Sequence, residues 1–85
     1  MNEKRELIPN DGHKSFYGKA YTIMIGGVLE TLYSYGTPII RRERDGSLTR
    51  LWPADPADFT ATTGRHIAAF CGLNKREFLA LPLQQ

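Results

Sequence analysis

"FYGKAYTIMIGGVLETLYSY", residues 16–35, is the stretch on which the fold turns. Its first half is rich in aromatic and β-branched side chains. Tyr21, Ile23 and Ile25 alternate against Thr22 and Met24, the two-residue period of a strand half buried on one face. Gly26-Gly27 follows at once, and a glycine pair takes the positive φ angles of a tight two-residue hairpin. "VLETLYSY", residues 28–35, then runs back as a second strand with Leu29, Thr31, Tyr33 and Tyr35 alternating.

Downstream, Gly36-Thr37-Pro38 breaks that strand, because proline lacks the amide donor and restricts the residue before it. "IIRRER" resumes an extended segment, Asp45-Gly46 is the strongest short hairpin signal in the chain, and "SLTRLW" returns as a fourth strand. Antiparallel neighbours need no crossover, so four strands in meander order are the economical arrangement. "PADPADF", with two prolines and two aspartates in residues 53–59, stops the sheet.

A helix starts in the threonine cluster that follows, where the hydroxyl of Thr60 or Thr62 can cap a free amide of the first turn. Thr63, Ile67, Phe70 and Cys71 fall at i, i+4, i+7 and i+8 on one helical face, and Gly72 is the expected C-terminal residue. Asn74 caps a second short helix, "KREFLAL", which Pro82 ends. The expectation is an α+β domain, ββββαα, with a four-stranded antiparallel meander and the helices on one face.

Upstream, residues 1–14 are polar and charged, with only Leu7 and Ile8 to bury, and read as a flexible N-terminal tail to a single domain over 15–85. Eighty-five residues make one domain. A domain of this size buries only about 60% of its unfolded surface, which leaves few positions to spare for a water-excluding catalytic cleft. The reading is therefore non-enzymatic. Cys71 is the single cysteine and closes no internal disulfide. No signal-peptide core and no apolar run near the roughly 20 residues of a membrane span are present, so a cytoplasmic location is expected. Eleven Lys and Arg against nine Asp and Glu give a net charge of +2, short of the one-sided charge of a dedicated nucleic-acid binder.

No cofactor or metal site assembles from the residue pattern. His66 flanks the apolar face of the first helix, where an imidazole caps the packed edge or, in the sharper reading, serves as a general base or metal ligand. Zinc needs three or four ligands, and His13, His66, Cys71 and scattered acids do not cluster in sequence. Five residues on a helix set Cys71 roughly 140° from His66, which leaves the thiol a core group rather than a paired nucleophile. "MIGGV" lacks the lysine and the strand-to-helix setting of a phosphate loop.

Two surfaces remain. Arg41, Arg42, Arg44 and Arg50, with Trp52 as an anchor, form an arginine hairpin suited to bidentate contacts with a partner's carboxylates or phosphates; the same arginines also serve to guard an exposed strand edge. Phe16, Tyr17, Tyr21, Tyr33, Tyr35 and Trp52 beside these arginines keep single-stranded nucleic-acid stacking open as an alternative. An open edge strand can also recruit a second copy, so a homodimer is a further option.

"SFYGKA" at 15–20, "LYSYGTPI" at 32–39 and "TTGRHIAAF" at 62–70, in that order, resemble a family of small uncharacterised proteins of phages, plasmids and other mobile elements. The resemblance covers residues 15–70 and transfers no catalytic residue. It implies a domain of unknown function rather than an activity; short non-enzymatic proteins of mobile elements often bind and block a host protein, and inhibitors of CRISPR effector nucleases such as Cas9 are one such class. The expectation is a non-enzymatic interaction domain acting on a host defence nuclease, with a small nucleic-acid-binding accessory protein as the alternative.

Overall fold

A computed structural model of the chain describes residues 2–9, 18–53 and 55–84. Its five strands are β1 (Asn2–Glu6), β2 (Ala20–Ile25), β3 (Leu29–Ser34), β4 (Thr37–Arg42) and β5 (Leu48–Arg50). They pair antiparallel in chain order, and after a 3₁₀ turn at Pro56–Asp58 two helices follow, α1 (Ala61–Cys71) and α2 (Lys75–Leu79). The α+β class and the meander are as read from the sequence, with one strand more than the four expected.

The extra strand lies in the segment read as a tail; residues 10–14 of that segment fall outside the described residues. β1 pairs with β2, Lys4 opposite Ile23, and Leu7 N–H donates to the Ala20 carbonyl at 3.2 Å. "NEKRE" shows no apolar alternation because an edge strand needs only backbone bonds on one side and tolerates charge on both faces. Its packing contact is the Lys4 ammonium, 4.4 Å from the centre of the Tyr21 ring.

Gly26 and Gly27 carry the positive φ angles expected of them, 62° and 72°, in a connection one residue longer than a two-residue turn, since Ile25 pairs with Leu29. Pro38 does not break the sheet. It sits inside β4 opposite Tyr33, at a register shift where Leu32 faces Ile40, so Ile39 is the extra residue of a bulge. The bulge brings Ile39 and Ile40 into the same core cluster, with Leu32, Ile67, Phe70 and Phe78. On β2 the buried positions are the small ones, Ala20 and Thr22, while Tyr21, Ile23 and Ile25 lie on the face away from the helices.

The helix boundaries follow their caps. Thr60 accepts from Thr63 N–H at 3.2 Å, and Gly72 closes α1 in the left-handed region at φ 76°. Asn74 and Glu77 form a reciprocal capping box on α2. Gly64 sits mid-helix, where glycine costs about 1 kcal/mol relative to alanine. The Phe59 ring explains it, since a Cβ at Gly64 would lie 3.0 Å from that ring.

The two outer strands end differently. β5 is covered by the chain's own last residues: Arg50 N–H donates to the Pro82 carbonyl, and Gln84 N–H donates to the Arg50 carbonyl, both at 2.9 Å. β1 has no described strand beyond it.

Candidate functional site

The five residues expected to bind a partner end in different surroundings. Arg42 lies under α1: its Nη2 donates to the Phe70 carbonyl at 2.8 Å, its Nη1 donates to Glu30 Oε1 at 3.0 Å, and its guanidinium carbon stands 4.3 Å from the Phe70 ring centre. Arg50 holds the C-terminal segment, with Nη1 donating to the Pro53 carbonyl at 2.6 Å and Nε to the Leu81 carbonyl at 3.4 Å. Arg41 is on the opposite sheet face, its Nε donating to Glu43 Oε1 at 2.8 Å. Arg44 is exposed in the β4–β5 loop, which Glu43 and Ser47 close. Trp52 is half buried, its ring 6.0 Å from that of Phe59 at the rim of the core. The arginine ladder of the sequence is thus dispersed, and two of its four guanidinium groups donate to carbonyls of their own chain.

The described aromatics are dispersed as well. Tyr21 stacks on Tyr33 across the strands, centroids 5.3 Å apart and planes 6° from parallel, with Lys4 beside it. Phe16 and Tyr17 lie outside the described residues, as does His13.

What the fold does bring together are three segments far apart in sequence: Gly18–Ala20, Ser34–Thr37 and Thr62–Ile67. The Ser34 hydroxyl shares hydrogen bonds with His66 Nδ1 at 2.8 Å and with Thr63 Oγ1 at 3.2 Å. Ser34 is 3% exposed and His66 1%, so this serine–histidine pair is sealed from any solvent-borne substrate. It works as a polar lock between β3 and α1. The sequence placed His66 beside the apolar face correctly, but its partner arrives from 32 residues upstream, on a strand whose pairing sets the distance.

Beside the lock stands Tyr35. Ser34 pairs with Thr37, so Tyr35 and Gly36 form a two-residue turn with φ 52° and 81°, the positive pair that a type I′ turn requires. Asn, Asp or Gly normally fills the first of these positions, and a left-handed tyrosine costs about 1 kcal/mol. Tyr35 is 57% exposed, so little buried contact offsets that cost. Its N–H donates to the Lys19 carbonyl at 2.8 Å, its ring lies 5.9 Å from that of His66, and the Lys19 ammonium is 6.0 Å from the ring centre. Arg65 is exposed on α1 immediately before His66. The dipeptide Tyr-Gly between two strand-like runs was the signal for this turn. Alternation of Tyr33 with Tyr35 concealed it by extending the strand one residue too far.

Burial holds the His66 imidazole below its ordinary pKa, and the positive charges of Arg65 and Lys19 add to the effect. The unfolded chain therefore takes up a proton near pH 6.5 before the folded state does, so the contribution of His66 to stability is complete above that value and falls as pH drops below it. Urea unfolding at pH 7.5 and 5.5 is expected to show the loss, at most about 1.4 kcal/mol per pH unit from this single group, and His66→Gln is expected to flatten it. An unchanged slope in that variant would assign the pH dependence elsewhere. Burial likewise pushes the Cys71 thiol up, and its Sγ donates to the Ile67 carbonyl at 3.4 Å, a core role.

Among the described residues no three of His, Cys, Asp and Glu gather as a metal site, and no helix is long and apolar enough to cross a membrane. No curated protein and no solved structure matches the chain. The family match that does exist runs from within β1 to the end of α2, past both limits of the resemblance read from the three sequence blocks. Residues 5–79 match the family of unknown function DUF8033, and the chain belongs to that family.

Proposed function

We propose that this chain is a non-enzymatic protein-interaction domain of a phage or other mobile element, which binds and blocks a host protein in the cytoplasm. The target class is a host defence nuclease, such as an RNA-guided one. The observation that carries an interaction role is Tyr35: an exposed aromatic side chain held at a turn position that disfavours it, beside Lys19 and above a locked Ser34–His66–Thr63 network. Strained residues that persist where a cheaper residue would serve mark functional surfaces, and tyrosine flanked by cations is a common anchor of protein interfaces.

The rigid network beneath fixes the ring's position before binding, which lowers the ordering cost of association. Lys19, exposed beside the ring, suits an acidic patch on the partner. The binding surface in this proposal is the Tyr35 corner, replacing the arginine hairpin.

The test is capture from host lysate with and without nuclease treatment, using wild type, Lys19→Glu and Arg44→Glu. Capture of a protein that survives nuclease, falls about tenfold with Lys19→Glu and holds with Arg44→Glu supports the reading. Capture abolished by nuclease would indicate nucleic-acid binding instead. Loss with Arg44→Glu alone would return the site to the β4–β5 loop.

A further inference from the structure

We draw no further inference here: the strongest candidate, the apolar surface patch of Ile23 and Ile25 on the sheet face away from the helices, with Val28 exposed at the β2–β3 turn, carries nothing because nothing in the structure shows what covers it.

Discussion

Tyr35→Asn is expected to abolish partner binding while leaving the domain as stable as wild type or slightly more so. Tyr35 occupies a left-handed position with φ 52° and has its side chain more than half exposed, so the fold gains little from it. Asparagine suits that turn position, and the substitution should add about 0.5–1 kcal/mol to stability by relieving the backbone cost. An aromatic anchor at an interface contributes roughly 2 kcal/mol or more, so affinity for the captured partner should fall at least ~30-fold. Tyr35→Phe, which keeps the ring, should retain most of the binding. Thermal unfolding and titration calorimetry on the same preparations separate the two effects. Binding undiminished in Tyr35→Asn would remove the observation on which the proposed function rests.

Arg42→Met has the opposite signature. The sequence places Arg42 in an exposed arginine hairpin, but its guanidinium joins the Glu30 carboxylate to the Phe70 carbonyl at the end of α1 and lies over the Phe70 ring. Its removal leaves a largely buried carboxylate without its cation and a helix end without a donor. Methionine keeps much of the packing volume but neither hydrogen bond. After allowance for partial solvent screening of the ion pair, the loss should be about 2 kcal/mol. In a domain of this size that corresponds to a melting temperature lower by roughly 8–16 °C. Arg44→Met, with an exposed side chain in the loop, should change stability by less than about 0.5 kcal/mol. Circular dichroism melts of the two variants settle the matter. A stable Arg42→Met that has lost partner binding would restore Arg42 to the interface.

Local signals of the fold were legible because their physics is local. Asn74 and Gly72 end or begin helices through bonds to groups within four residues, and the sequence spacing states those bonds directly. Asp45-Gly46 marked the β4–β5 hairpin for the same reason: Gly46 sits at φ 89° and Ser47 N–H donates to Asp45 Oδ1 at 2.9 Å. Where the energy of an element came from a neighbour in space, the pattern was silent or misleading. β1 carries no periodicity because β2 supplies its hydrogen bonds, and Pro38 stays in β4 because the one-residue bulge at Ile39 accommodates it.

The candidate site divides along the same line. His66 could be recognised from sequence as a polar group at the edge of a packed face, since helical spacing alone puts it next to Ile67 and Phe70. That it is locked by Ser34 and Thr63 could not be, because the register of β3 against α1 brings the Ser34 hydroxyl to within 2.8 Å of the ring.

By itself the sequence determined the class of the fold, the order of its central strands, the caps of both helices and a net charge too small to advertise a ligand. All of these follow from residue type and short-range spacing. Only the tertiary structure decided which polar groups are available to a partner. A guanidinium is exposed or engaged according to which carbonyls the folded chain brings within 3 Å of it, and an aromatic ring is core or surface according to which face of the sheet the helices cover. Both depend on contacts between residues tens of positions apart, and so Arg42 and Arg50 became braces of the fold while Tyr35, read as one more alternating strand residue, became the most exposed aromatic among the described residues.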